Sequence, residues 1–492
     1  GSQNWIAVID DAVDWFHEDL YDAVWYGYDF AMNDPDPTPD NVNQNHGTHV
    51  TGTVGASINN GIGVAGMIND TIYFAKISNN SNVLSTTAIA DALNSIATIS
   101  KIKVVNMSFG SYAPSQTYET ALQNAHNAGK LLIAAAGNDA TADPMFPASY
   151  SIVLNVAAVG VNNQGNLSSA SYSNWGNTID VSAPGGQIST NFGILSTLPN
   201  DDYNYMQGTS MAAPHAAGVA GMIFAVNPLL NNIQARNILE QQVFDLGSPG
   251  WDPFFGSDMV CAWCAFEAAC NQFSLPIVSN GPTSFCIGGS VTLSADFNAD
   301  ISYQWLRNGI EIPGANTNSI NVTQSGNYTL RIASLGGVCQ SHSNTINVTV
   351  NQHPPTPNIT INGNVLTSSS ATGNQWYFNG NLIPGATQQS YTAQQNGNYH
   401  VVVTINNCSA QSNTFFISSI GLTELQSMGI ASIFPNPTSD YLNVHFSSSQ
   451  NDLQLEMFDN QGRRVQMRNI NYISENEIIK LNWVTKLGRK TY

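Results

Sequence analysis

The sequence predicts an α/β domain built on a doubly wound parallel sheet, followed by two β-sandwiches and a small C-terminal β domain. Three observations carry this expectation. Over residues 1–270, short continuously apolar runs alternate with helical stretches. Parallel strands covered by helices on both faces read this way. After Pro276 the texture changes to Ser, Thr, Asn and Gly with alternating apolar residues and few helix formers, an all-β pattern. That second texture also repeats itself: Tyr303-Gln304-Trp305 returns as Asn374-Gln375-Trp376, an offset of 376 − 305 = 71.

Taken in order, the strand-like runs of the first region are Trp5–Ile9, Thr71–Ile77, Lys103–Met107, Leu131–Ala136 and Ile152–Val159. Between them, Thr86–Ile99 and Thr117–Ala128 space Ala, Leu and Ile as helices do. In the repeats, Asn308-Gly309 through Ile312-Pro313-Gly314-Ala315 returns as Asn379-Gly380 through Ile383-Pro384-Gly385-Ala386, and Gly326-Asn327-Tyr328 returns as Gly397-Asn398-Tyr399. Gln352-His353-Pro354-Pro355-Thr356-Pro357 between them has the composition of a stiff linker. A third texture begins near Ile430, with Phe434-Pro435-Asn436-Pro437 ahead of the alternating Tyr441–Phe446. The expected domains are residues 1–272, 275–351, 355–419 and 430–492.

Composition narrows the function classes. The chain is 42% hydrophobic and 10% charged, enough for several packed cores and too little charge for a disordered tail. Lys+Arg 14 against Asp+Glu 33 gives a net charge of −19, which disfavours nucleic acid and anionic membrane as partners. No apolar run reaches the roughly 18 residues of a membrane span. The longest, Ala216–Val226, is expected to be a buried core helix, and the protein is expected to be a monomer. All six cysteines lie after residue 260, so the first 260 residues need no disulfide framework. The opening Gly1-Ser2-Gln3-Asn4 runs straight into a strand and reads as a processed or truncated start.

A serine hydroxyl is a poor nucleophile until a base removes its proton. An imidazole serves as that base when a carboxylate holds one tautomer. Three segments each supply one such group. Asp10 follows the apolar run Ile6–Ile9, where catalytic groups sit in open α/β sheets, or else is a loop acid beside Asp11, Asp14 and Asp19. His46 and His49 stand three apart; a base role for His46 outweighs a metal role because no Cys or Glu lies at ligand spacing, and His49 reads as structural. Ser210 opens a small-residue helix, where the dipole favours negative charge; position alone leaves it a nucleophile or a helix N-cap.

Together, Val8-Ile9-Asp10, His46-Gly47-Thr48-His49-Val50 and Gly208-Thr209-Ser210-Met211-Ala212-Ala213-Pro214-His215 resemble the Asp, His and Ser motifs of the subtilisin-like serine proteases, in that family's order. The resemblance implies a subtilisin-like fold and a serine endopeptidase acting on polypeptides, with Asp10, His46 and Ser210 as triad. Ala134-Ala135-Ala136-Gly137-Asn138 resembles the family's oxyanion segment; it implies that Asn138 donates to the tetrahedral intermediate, a donor typically worth about 10²–10³ in turnover. Ser108-Phe109-Gly110, with Gly137, resembles the substrate-binding strand and pocket wall. Ser57–Val64 is similar to the family's calcium loop and implies Ca²⁺ held by carbonyls of Ile58, Ile62 and Val64, the Asn60 side chain and the Asp19 carboxylate.

The first motif departs from the family's Asp-Ser/Thr-Gly at Asp11-Ala12. A decayed protease fold serving as a surface or adhesion protein is therefore the alternative reading. Each 71-residue repeat resembles a bacterial immunoglobulin-like domain, with Trp305, Trp376, Tyr328 and Tyr399 in the cores and a cell-surface or polymer target as conceivable partner. Cys286 and Cys339 are expected to pair, leaving Cys408 unpaired or paired elsewhere; Cys261, Cys264 and Cys270 are expected to be core cysteines or to form one local disulfide. Residues from Ile433 to about Val465 resemble the C-terminal sorting domain of Bacteroidetes proteins exported by the type IX system, which implies a secreted or cell-surface bacterial protein.

Overall fold

In the computed structural model, residues 4–418, 429–434, 441–458 and 464–482 are described. Residues 1–3, 419–428, 435–440 (with Pro435-Asn436-Pro437), 459–463 and 483–492 lie outside the described residues.

The apolar run at the start forms β1 (Trp5–Asp10), followed by β2 (Val24–Asp29), α1 (His46–Gly55), β3 (Ile72–Lys76), α2 (Thr86–Thr98), β4 (Ile102–Met107), α3 (Gln116–Asn127), β5 (Leu131–Ala135), β6 (Val153–Val161), β7 (Leu167–Ser169) and β8 (Val181–Pro184). The hairpin β9 (Ile194–Leu198) and β10 (Asp202–Met206) leads into α4 (Thr209–Val226) and α5 (Asn232–Gln241). Two short strands, β11 (Val243–Phe244) and β12 (Met259–Val260), precede α6 (Ala262–Asn271). The sheet order is β11-β12-β8-β6-β5-β4-β1-β3-β2, with β7 on β6. The β2–β3, β3–β1, β1–β4, β4–β5, β5–β6 and β6–β8 pairings are all parallel.

Strand composition explains the burial. Ile6–Ile9 and Leu131–Ala135 are buried on both faces, as an internal parallel strand requires. One face packs Ala7, Ile9, Val105, Met107, Leu132 and Ala134 against Leu93 and Ile96 of α2 and Leu122 and Ala125 of α3. Both helices start at serine caps: Ser85 accepts from Ala88 N and Ser115 from Tyr118 N. Against the other face lies α4. A methyl on Gly221 would come within 2.7 Å of Ile6 Cδ1, so small residues let this helix lie directly on β1. Its length and apolarity suffice for a membrane span, but it is largely buried within this domain.

The remaining chain is all β. By contact density it divides so that residues 1–281, 291–322 and 326–348 form one unit and 282–290, 323–325 and 349–492 another. In the first unit, the strands Val278–Ser279, Val291–Ser294 and Ser319–Val322 make one sheet, and Ile301–Arg307 pairs with Gly326–Ser334 in a second. In the second unit, Ile359–Asn362, Val365–Ser368 and Ser390–Thr392 face a sheet built on Asn374–Phe378 and Gly397–Ile405. The repeat is structural as well. Trp305 and Trp376 are fully buried and donate Nε1–H to Thr317 O and Gln388 O respectively. Asn308-Gly309 and Asn379-Gly380 turn with positive φ, as a type I′ hairpin needs. Towards the C-terminus, Ile430, Val444, Phe446, Ile473, Ile479 and Leu481 form a small core.

The cysteine pairing corrects one expectation. Cys286 does not pair with Cys339; the disulfides are Cys261–Cys264, Cys270–Cys339 and Cys286–Cys408. Cys286 ends a strand that pairs in parallel with Thr349–Asn351, beside the Asn407 carbonyl, and so meets Cys408. Cys339 sits in the hairpin after Ser334 and meets the last turn of α6 instead. Of the two readings for Cys261, Cys264 and Cys270, core cysteines or one local disulfide, the structure has the local bridge between the first two, while Cys270 pairs outside the group.

Candidate active site

In this sheet β1 is the strand at which the winding reverses, with β3 on one side and β4 on the other. The crevice outside such carboxyl ends is where open α/β sheets bind ligands. Asp10 ends β1 there, 3% exposed. Its Oδ1 accepts from Asp11 N and from His46 Nδ1–H, both at 2.8 Å. Among the described residues Asp10 Oδ2 is buried without a hydrogen-bond partner, and His46 is the sole side chain that bonds to this carboxylate. The Nδ1–H···Oδ1 bond fixes the tautomer and leaves Nε2 as the basic nitrogen.

His46 is the first residue of α1, and the preceding Asn45 supplies no side-chain cap. Asp11 caps the helix from outside: its carboxylate accepts from His46 N at 3.2 Å, Gly47 N at 2.6 Å and Ala12 N at 2.6 Å. A methyl on Gly47 would stand 2.4 Å from Ala12 O, so glycine permits the close approach. Ala12 needs no left-handed backbone, and its methyl is fully buried. The departure at Asp11-Ala12 is thus accommodated. Burial and the charge of Asp10 push Asp11 up to about 6, against the pull of His46 and the two backbone amides. Burial drags His46 down, but the Asp10 charge and hydrogen bond, with Asp11 behind them, raise it to about 9.

Ser210 is the second residue of α4, after Gly208 with φ 153°. Its hydroxyl donates to Ser108 O at 3.0 Å and, among the described residues, not to His46. Pro214 lies four residues on and has no N–H for the Ser210 carbonyl. Ser108 Oγ takes that place at 2.9 Å, tying the segment after β4 to the start of α4. Thr209 makes a second tie: its Oγ1 accepts from Gly137 N and donates to Asn138 Oδ1, both at 3.0 Å. Asn138 Oδ1 also accepts from Thr209 N at 2.9 Å, which commits that end of the amide and leaves Nδ2 without a partner among the described residues. A methyl on Gly208 would stand 3.4 Å from Asn138 Nδ2 and 3.6 Å from Ser210 N. Glycine therefore leaves a space bordered by Asn138 Nδ2 and Ser210 N, two donors of the kind that can hold an oxyanion.

Ser108-Phe109-Gly110 extends β4 and Ala136-Gly137-Asn138 extends β5, so two neighbouring strands deliver both segments to one side of Ser210. Phe109 stacks on Tyr118 of α3 at 6.5 Å. His49, one turn after His46, points elsewhere: Nε2 bonds to Ile194 O and Asn204 O of the β9–β10 hairpin, and burial lowers it to about 4. It is a neutral strut for that hairpin through Nε2, and its buried Nδ1 has no hydrogen-bond partner among the described residues. The sequence reading missed the cap by Asp11 and the ties through Thr209 and Ser108. Pro214, four residues after Ser210, was the available signal for a freed carbonyl.

Around the loop expected to bind calcium, Asp19 is fully buried and accepts from Asn60 Nδ2 at 2.6 Å and Val64 N at 2.9 Å. Asn60 Oδ1 accepts from Ile62 N at 3.1 Å. The donor set is one carboxylate with neutral amide and carbonyl oxygens, hard ligands that fit Ca²⁺ in kind. Among the described residues no three His, Cys, Asp or Glu side chains converge as a metal cluster, so carbonyls would have to complete the shell.

Residues 1–257 match the Subtilase family, and residues 432–486 match the Secretion system C-terminal sorting domain. The "Thermophilic serine proteinase" of Bacillus sp. (strain AK1) is 42% identical over 248 residues, covering 50% of this chain and 57% of that protein. The "Alkaline protease" of Alkalihalobacillus alcalophilus is 37% identical over 266 residues, 54% of this chain and 64% of that protein. "Subtilisin Savinase" of Lederbergia lenta is 36% identical over 266 residues, 54% of this chain and 91% of that protein. The chain thus spans less than two-thirds of the length of the first two relatives. With its sorting domain, it is a secreted or cell-surface bacterial protein.

Proposed function

The chain belongs to the subtilase family, and from that premise we propose that it is a serine endopeptidase hydrolysing polypeptides through an acyl-enzyme on Ser210. The observation that carries this reading is the 2.8 Å bond from His46 Nδ1 to the buried Asp10 carboxylate. It leaves a basic Nε2 in the crevice that also receives Ser210. Ser210 Oγ turns from the Ser108 carbonyl towards Nε2, gives up its proton and attacks the peptide carbonyl. The oxyanion lies between Ser210 N and Asn138 Nδ2. His46 passes the proton to the leaving amine; water then enters by the same base and releases the acid product.

Ser108-Phe109-Gly110 and Gly137 hold the substrate main chain. Asp19, Asn60 and the carbonyls of Ile58, Ile62 and Val64 would hold a structural Ca²⁺, which would supply positive charge beside the buried Asp19 carboxylate. Nothing at Asp11 or Ala12 favours the alternative of a decayed fold, since both are accommodated. A fluorophosphonate probe is expected to label the purified protein and to leave Ser210→Ala unlabelled. Labelling that survives in the mutant removes the assignment.

A further inference from the structure

The extensions of β4 and β5 leave the sheet side by side next to Ser210, and the gap between them is occupied. A methyl on Gly110 would stand 2.9 Å from Met145 Cε and 3.0 Å from its Cγ. A methyl on Gly137 would stand 2.5 Å from Met145 Sδ. The thioether therefore lies against both glycines, in the space their missing side chains leave. Its place is set by the backbone: the next residue, Phe146, exchanges two 2.8 Å hydrogen bonds with Ser111, which follows Gly110.

The two walls are also tied across the gap. Tyr112 OH donates to Asp139 Oδ2 at 2.6 Å. Asn174 Nδ2 reaches Tyr112 OH and Ala136 O, both at 3.0 Å, while Asn174 Oδ1 accepts from Asp139 N at 3.0 Å. Spreading the walls would break this chain of bonds. An incoming side chain must instead push the Met145 thioether aside, out of contact with both glycines.

Resting on the reading of Ser210 as nucleophile, we propose that Met145 sets substrate specificity by filling the cleft that receives the side chain of the residue whose carbonyl is attacked. The enzyme then cleaves after small residues, Gly, Ala and Ser, and discriminates against aromatic and long aliphatic ones. Misfit by a methylene in an apolar pocket is worth about 10–200-fold, and a phenyl ring exceeds alanine by more than one such step.

The test uses the full chain and two peptide series that differ only at that residue, Ala against Phe. The wild type is expected to favour Ala by at least about 100-fold in kcat/KM, Met145→Gly to bring the ratio within about fivefold, and Met145→Ala to fall between them. Thermal unfolding and the fluorophosphonate labelling rate accompany each variant, and Met145→Ala carries the test should the glycine variant fold poorly. Equal cleavage of both series by the wild type overturns the inference. So does an unchanged ratio in a variant that still labels. A wild type that neither labels nor cleaves overturns the protease reading beneath it.

Discussion

The α/β region and the β-module around Trp376 secure themselves by different means. In the first, apolar strands buried on both faces share one continuous core with α2 and α3, and α4 covers the other face. Its local bridge, Cys261–Cys264, spans a separation of 3. The module instead gathers Ile359, Leu366, Ala393, Tyr399, Val401 and Ile417 about one indole, and its Cys408 is bonded to Cys286 across a separation of 122. Buried fraction rises with domain size, so a large core holds itself while a small one gains from a cross-link closing a long loop. The contrast matters for function: a site needing sub-ångström placement sits on the region whose geometry is over-determined.

The largest effect expected from this contrast comes from Trp376→Ala. Removing a fully buried indole costs about 3–5 kcal/mol, comparable to the whole stability of a small domain. That variant should lose the module's unfolding transition while cleavage of a short peptide stays within twofold. Calorimetry and peptide kinetics on the same preparation check both halves. Loss of peptide cleavage together with the module would break the contrast, because the α/β core would then depend on an indole of another unit.

Calcium should act on the other side of it. The Asp19 loop belongs to the α/β region, next to the end of α1 through the Ser57 N to Asp19 O bond. A ligand present at 100 times its Kd stabilises by about 2.7 kcal/mol, so excess chelator should lower the α/β transition by roughly 5–10 °C and leave the module's transition in place. An α/β transition indifferent to chelator would remove the calcium assignment.

What the residues disclosed follows the same division. The strand runs, the two helices after them and the 71-residue repeat were legible because burial imposes a period. Asp10, His46 and Ser210 stood out because each ends or begins such an element. Disulfide partners were not legible. Cys339 and Cys408 occupy the same place in their repeats, each followed by Ser and Asn four and five residues on. They reach back to different partners, one on α6 and one on an edge strand, and neither choice leaves a local signal. Met145 was invisible for a related reason. It meets Gly110 and Gly137 only because a turn after β5 folds back on the segment after β4.

The smallest effect concerns two adjacent carboxylates within the α/β region. His46 must be neutral to accept the Ser210 proton, and with its imidazole raised to about 9 the activity should climb through the alkaline range, well above the ordinary histidine midpoint. Asp11 contributes to that elevation by its charge, and it also holds the first turn of α1. Asp11→Asn separates the two roles. Removal of the charge lowers the His46 pKa and moves the acid limb of kcat/KM to lower pH, raising activity near pH 7.5 by about two- to fivefold for a shift of a few tenths of a unit. An amide nitrogen in place of one acceptor loosens the cap, so the plateau kcat at high pH should fall by a similarly small factor. A pH profile of both proteins reads the two effects independently. If limb and plateau stay where they are, Asp11 is a spectator, and the elevation of the acid limb belongs to Asp10 alone.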